Sequence, residues 1–410
     1  MKNNSSVCAL PFSHVAVRTN GNFSLCCMAY NDSKMSYKNS SITEFWNSIY
    51  LRKVRILMRL GIKLSDCKVC YKEEKLGIKS HRLVENESWC KDNSKNDIQE
   101  IFKVSSLTGR VSKQAQSFDI RLGNNCNLEC IMCQPQESSK WIDRGKKLIK
   151  HLNKGSLLYH QWNDRVKIDM NDYSWVTQEN IWSEFMSLIP YIKTMVIGGG
   201  EPLLVKEHLD FIKKISSEQD VSHLIIRYHT NATLYLDDMI PSWNKFKKVE
   251  FFLSVDGKDR YARYIRYPSN WSVIEENLKR YDNLPENYEV RILYTVNNIN
   301  VSHFSDFVEW LISMNFKKRE KFTRLDEFLI IGFVHWPKYL SIVNLSLEKK
   351  EKAKEVIQVL IDKYDDLGVT NYKQIIDTLS NPLNEGELKN FDRFTDSLDK
   401  IRDIKKEELV

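Results

Sequence analysis

Three cysteines, Cys126, Cys130 and Cys133, stand close together in the stretch RLGNNCNLECIMCQ. Three thiolates at this spacing can hold three irons of a four-iron cubane. Iron-sulfur clusters are ordinarily tied by four cysteine thiolates, so a compact triplet without a nearby fourth leaves one iron open for another ligand. The same residues could instead serve a zinc site, which needs a distant fourth ligand, or could simply be packed thiols. FDIRL (118–122) reads as a short alternating strand, and the cysteines follow it in a polar loop with Gly123, Asn124, Asn125 and Asn127. The triplet is thereby placed at the C-terminal end of a first strand, where parallel α/β barrels carry their loop-borne active sites.

The CxxxCxxC spacing resembles the signature of the radical S-adenosylmethionine (radical SAM) superfamily, in which the open iron chelates the amino and carboxylate groups of SAM. Other strand ends carry further matches. Gly198-Gly199-Gly200-Glu201-Pro202 resembles the superfamily's GGE motif, which binds the amino group of SAM. Glycines let a ligand approach the main chain, and Glu201 can accept from an ammonium. Thr230-Asn231 resembles the TN pair beside the cofactor. Ser254-Val255-Asp256-Gly257 is similar to the SxD segment, whose serine bonds a ribose hydroxyl or the SAM carboxylate. Ordinary turn chemistry selects the same residue types at both places. Arg266 is either a partner for the SAM carboxylate or a surface arginine. Met132 stands where relatives carry an aromatic residue against the adenine, a place a flexible apolar side chain can fill. The resemblance thus implies a [4Fe-4S] cluster on Cys126, Cys130 and Cys133, with SAM contacts at Met132, Gly199, Gly200, Glu201, Asn231, Ser254, Asp256 and Arg266.

All nine cysteines lie in the first third of the chain, and six precede the triplet: Cys8, Cys26, Cys27, Cys67, Cys70 and Cys90. VAVRT and FSLCC flank Asn20-Gly21 and read as a β-hairpin with a tight turn, which would bring Cys8 and Cys26 to one end of the ribbon. The CxxC pair Cys67 and Cys70 could close a four-thiolate site there. Cysteine, glycine, a cysteine after four intervening residues, a tryptophan-containing helix (FWNS) and a CxxC together resemble the SPASM and twitch auxiliary-cluster modules of radical SAM enzymes. By that resemblance Cys8, Cys26, Cys67 and Cys70 hold one auxiliary [4Fe-4S] cluster, in a module that here precedes the barrel. A zinc site on the same ligands remains the alternative, and Cys27 could replace Cys26. Cys90 reads as a spare surface thiol.

After the cluster loop, apolar strands alternate with amphipathic helices, as in βα units of a parallel sheet. The strands are expected at 118–122, 194–199, 223–230, 249–255, 288–296 and 327–334, with helices such as 206–217 and 301–314 between them. This pattern matches the superfamily's partial (β/α)6 TIM-like barrel. The expected organisation is an auxiliary-cluster domain over 1–110, the α/β barrel over 115–336 and a C-terminal helical extension over 337–410. Residues 134–190 form an insertion, read either as a lid or as a peripheral helical hairpin.

With 410 residues, 61 basic and 54 acidic side chains, the chain carries only a modest, dispersed positive charge. That argues against a nucleic-acid footprint without excluding one. No apolar stretch approaches membrane-spanning length, and the N-terminus lacks a secretory pattern. A cytoplasmic protein is therefore expected, with its cysteines serving as metal ligands or reactive thiols rather than as a disulfide framework. The resemblance implies reductive cleavage of SAM to a 5'-deoxyadenosyl radical that abstracts hydrogen from a substrate. Auxiliary clusters often accompany peptide or protein modification, which makes a peptide or protein the expected substrate and a flavodoxin or ferredoxin the expected electron donor. The alternatives are modification of a nucleotide, sugar or RNA, and a non-enzymatic iron-sulfur sensor or scaffold. No residue is singled out as a hydrogen donor or catalytic base.

Overall fold

The computed structural model describes residues 6–31, 33–75, 79–334 and 336–409. Ten strands follow in chain order: β1 (His14–Val17), β2 (Phe23–Ser24), β3 (Ser117–Arg121), β4 (Glu129–Cys130), β5 (Thr194–Gly198), β6 (Ile225–Thr230), β7 (Lys248–Ser254), β8 (Arg266–Tyr267), β9 (Tyr288–Val296) and β10 (Leu329–Phe333). Eight of them make one mostly parallel sheet with helices between its strands, while β4 and β8 form a separate two-stranded ribbon. The six expected barrel strands are all present. The last is shorter than expected, because Glu327 and Phe328 close a short helix, Leu325–Phe328, ahead of β10. Two strands were not expected in this sheet. The hairpin around Asn20-Gly21 forms, with Ala16 opposite Ser24, and its strand β1 also pairs in parallel with β3, Val15 beside Phe118 and Val17 beside Ile120. Among the described residues no helix is long and apolar enough to cross a membrane.

The chain divides into two compact units. One contains Met1–Gly123, Asp169–Arg227 and Pro241–Lys247. In it β3 lies between β1 and β5, and the period-two alternation separates two faces. Phe118, Ile120, Met195 and Ile197 are fully buried, and Phe118 meets Phe185 of helix Glu179–Leu188 edge-on at 5.6 Å. The other face carries Asp119 and Arg121, paired at 2.8 Å. Helix Ile49–Arg59 is anchored by Arg55, whose guanidinium donates to the carbonyls of Pro11, Trp46 and Gly109. Helix Lys206–Glu218 buries His208, Phe211, Ile212 and Ile215, and the His208 ring lies 6.0 Å from that of Trp182.

The second unit contains Asn124–Ile168, Tyr228–Ile240 and Lys248–Val410. Here β9 lies between β7 and β10, all parallel. The first part of the insertion is the helical hairpin: helices Lys140–Ile149 and Leu157–Arg165 meet through Trp141 and Trp162, 4.8 Å apart. Helix Glu385–Asp399 closes over them, with Phe394 stacked on Trp162 at 5.9 Å and packed on Tyr339 at 4.9 Å. The extension beyond residue 336 is thus part of this unit's core.

Two stability outcomes follow from this packing. Phe394 is fully buried among three aromatic rings, so Phe394→Ala should cost about 3–5 kcal/mol in urea unfolding; Val359→Ala, on an exposed position of helix Leu347–Lys363, should stay within about 0.5 kcal/mol. Burial holds His208 neutral, lowering its pKa to about 3. An unfolded imidazole takes up its proton near pH 6.5, so the stability it confers is complete above that pH and lost as pH falls. Between pH 7 and 5, His208→Gln should therefore lose about 2 kcal/mol less stability than the wild type, read from denaturation midpoints.

Candidate functional site

The triplet is positioned by the ribbon. Strand β4 ends at Cys130 and pairs antiparallel with β8, setting Cys130 directly opposite Arg266 and Glu129 opposite Tyr267. Trp141 Nε1 donates to the Cys130 carbonyl at 2.8 Å, and Ile131 N donates to the Ile265 carbonyl at 2.8 Å. Beyond the strand the chain turns tightly, with Cys133 N bonded to the Cys130 carbonyl at 2.9 Å. Cys126 and Cys130 are buried, Cys133 is half-buried, and Met132 packs beside all three.

Arg266 Nη1 lies 3.8 Å from Cys130 Sγ, and its Nε lies 2.7 Å from Asp256 Oδ2, a charge contact in which the N–H is not aligned on the oxygen. Asp256 is fully buried, and its other oxygen accepts from Thr295 N at 2.6 Å. It therefore works by holding Arg266 in place. The Cys133 thiol donates toward Cys130 and holds it below the ordinary thiol range; Arg266 and Arg402 add to this against the cost of burial, while Cys133 is pushed up. A buried group of thiols beside fixed guanidinium charge suits thiolate ligands for a soft metal.

Asn231, at the end of β6, is tied to the same loop. Its Nδ2 donates to Asn127 Oδ1 at 2.8 Å and lies 4.0 Å from Cys126 Sγ, while Asn127 Nδ2 donates to Thr233 Oγ1. Ser254 ends β7 on the half-exposed face, opposite Leu293. The glycine motif is built from β5 and β3. Leu122 N donates to the Gly198 carbonyl and Gly200 N to the Gly123 carbonyl. Gly199 has φ +126, and a Cβ there would stand 2.7 Å from Leu122 N, so only glycine fits. Glu201 is fully buried and its Oε1 accepts from Leu203 N at 3.1 Å, capping the turn Pro202–Leu204.

The upstream cysteines also converge. Cys8 precedes helix Leu10–Ser13, Cys26 follows β2, Cys67 ends the turn Ser65–Cys67, and Cys70 lies in helix Lys68–Lys75. Burial raises all four thiols, and repulsion from neighbouring members of the set adds to this at Cys8, Cys26 and Cys67. Against that rise, backbone N–H groups favour the anion at three of them, Leu10 for Cys8, Met28 for Cys26 and Arg82 for Cys70, while the Tyr71 hydroxyl beside Cys67 donates to the Ser6 carbonyl at 3.3 Å. Cys27 belongs to a different neighbourhood. Its sulfur lies 3.8 Å from His81 Nε2 and its carbonyl accepts from Arg18, while burial and Asp119 raise it to about 11. Cys90 lies half-buried in helix His81–Asp92. Among the described residues no three His, Cys, Asp or Glu side chains are gathered closely enough to ligate a single metal ion.

Several residues around the triplet had no distinguishing sequence signal. Arg402, just beyond helix Glu385–Asp399, donates to the carbonyls of Glu129 (2.5 Å) in β4 and Tyr264 (3.0 Å) in the helix that leads into β8, and so ties β4 to the approach of β8. Arg144 pairs with Glu129 at 2.6 Å and bonds the Ile401 carbonyl. Asn127 and Thr233 carry the link to Asn231. None of these belongs to a motif, and their roles arise from long-range packing.

Residues 120–311 match the family model described as the radical SAM superfamily. No curated protein matches the chain. Among solved structures, Streptococcus suis SuiB is similar at 13% identity over 82% of this chain and 65% of its own, with a TM-score of 0.35. SuiB bound to precursor peptide SuiA gives 13% identity over 77% of this chain and 64% of its own, TM-score 0.36. TYW1 with a lysine-pyruvate adduct bound gives 14% identity over 60% of this chain and 73% of its own, TM-score 0.31. The chain spans less than two thirds of the length of SuiB.

The buried Asp256 to Arg266 pair yields a direct outcome. Asp256→Asn leaves a buried guanidinium without its counter-charge and should cost about 3–5 kcal/mol in the metal-free protein. Ser254→Ala, on the half-exposed face nearby, should stay within about 0.5 kcal/mol, both read by urea unfolding.

Proposed function

We propose, from the membership of this chain in the radical SAM superfamily, that Cys126, Cys130 and Cys133 hold a [4Fe-4S] cluster whose fourth iron takes SAM. When bound and reduced, that cluster supplies one electron to the SAM sulfonium, releasing methionine and a 5'-deoxyadenosyl radical that takes hydrogen from the substrate. The observation that carries the reading is the convergence of three thiols in one loop with Arg266 fixed against Cys130.

The residues divide the work of holding the cofactor. Arg266, kept charged by Asp256, offers its guanidinium to the SAM carboxylate. The Glu201 carboxylate, whose Oε1 also caps its own turn, and the main chain at Gly199 and Gly200 receive the SAM ammonium. Asn231 steadies the Cys126 end of the loop through Asn127, Ser254 offers a hydroxyl to the ribose, and Met132 offers an apolar surface to the adenine.

We assign Cys8, Cys26, Cys67 and Cys70 to an auxiliary [4Fe-4S] cluster within a SPASM/twitch-like segment over 1–110, followed by the barrel over 115–336 and the helical extension. Support comes from the donor set on their sulfurs, since hydrogen bonds to ligating sulfur stabilise thiolates and tune clusters. Cys27, with different neighbours, is left out. With such a second cluster the substrate is a peptide or protein, by analogy with enzymes carrying these modules.

Anaerobic reconstitution tests the assignment. The wild type should load about eight irons, as two four-iron clusters, and form 5'-deoxyadenosine from SAM when dithionite is added. Cys130→Ala should lose the nucleoside product and keep about four irons; Cys67→Ala should lose about four irons and keep SAM binding. Fully loaded protein that binds SAM without dithionite-dependent cleavage would overturn the reading.

A further inference from the structure

Arg165 ends helix Leu157–Arg165 and is only 9% exposed. Two indole rings flank its guanidinium, Trp162 with its centroid at 5.5 Å and Trp336 at 5.1 Å. Its Nη1 is buried without a hydrogen-bond partner, and no carboxylate of the described residues lies within ion-pair distance. The Tyr339 hydroxyl faces the guanidinium and accepts from Trp162 Nε1 at 3.4 Å. Other buried arginines of this unit are matched: Arg266 meets Asp256, and Arg402 meets two carbonyls. The guanidinium is hydrogen-bonded to the Tyr339 hydroxyl but makes no ion pair, and its buried Nη1 is left without an acceptor, a costly arrangement for a buried charge.

The neighbourhood connects this charge to the triplet. Cys133 packs against the same buried cluster that contains Trp162 and Tyr339, and Glu137, in the turn four residues past Cys133, lies near both the Cys133 thiol and Arg165. Glu137 is exposed, and its Oε2 accepts from Gln134 N at 3.1 Å. Trp336 is 46% exposed, so one wall of the Arg165 site is at the surface. A planar fork of donors between aromatic faces suits a carboxylate.

We propose that Arg165 receives a carboxylate of the substrate, in a subsite walled by Trp162 and Trp336 beside the Cys133 end of the triplet. The inference rests on the triplet being the reacting centre, and it narrows the substrate to a peptide with an acidic side chain or a free C-terminus in reach of that centre.

Calorimetric titration of the reconstituted, SAM-bound enzyme tests it with three probes. N-acetylglutamate α-amide offers a side-chain carboxylate, N-acetylalanine a terminal one, and N-acetylglutamine α-amide is the neutral control. One of the two carboxylates should bind saturably and the control should not. Arg165→Gln should weaken that binding about tenfold or more, and Arg165→Lys, which keeps the charge but not the fork, should weaken it less. Trp336→Leu, at the surface, should weaken it severalfold and stands in if the arginine variants fail to fold. Equal binding of all three probes, or carboxylate binding unchanged in both Arg165→Gln and Trp336→Leu, would overturn the proposal. So would a tenfold loss of SAM affinity in Arg165→Gln with probe binding intact, which would assign the residue to the cofactor. Binding heat is read without SAM cleavage, so failure here is separable from failure of the radical reading.

Discussion

Everything proposed for the triplet depends on a ribbon of two residues per strand. Glu129 and Cys130 pair with Tyr267 and Arg266, and a pair that short has little stability of its own. It persists because charge is fixed on both sides. Arg402 bonds a carbonyl of β4 and one in the helix leading into β8, Arg144 neutralises Glu129, and Asp256 holds Arg266. These groups are buried, so water screens them little and each missing partner would be costly. The register that sets Arg266 opposite Cys130 is thus secured by side chains distant in sequence, including some beyond residue 400. A cluster loop of this kind needs a rigid frame because the geometry of thiolate ligands sets where the open coordination position points.

The barrel was legible because its signals are local. Strands with period two, helices with period 3.6 and glycine at a position with φ +126 all reflect backbone constraints that a short stretch of sequence displays. The cysteine spacing was legible for the same reason. What escaped was non-local. β1 has the composition of any hairpin strand, and nothing in VAVRT distinguishes pairing with its hairpin partner alone from pairing with β3 as well. No motif in the C-terminal helices says what they pack against, although Phe394 completes an aromatic core with Trp141, Trp162 and Tyr339. Glu201 and Asp256 show a subtler limit. Their types and positions were apparent in the sequence, but the partners that turn their carboxylates inward, Leu203 N and Arg266, follow only from the folded chain.

The two cysteine sets illustrate how burial and hydrogen bonding compete. At the upstream set burial and neighbouring thiols oppose ionisation, so without metal these groups stay protonated and repel charge rather than attract it. The N–H donors gain their full value only when the sulfur is anionic, which happens on metal binding. Loading of the proposed cluster would release protons and turn N–H contacts that are weak to a thiol into charge-assisted bonds to a thiolate. At the triplet, fixed guanidinium charge already biases Cys130 toward the thiolate before any metal arrives. The proposed upstream cluster would therefore supply the larger share of its segment's order, whereas the triplet loop is framed in advance by protein charge.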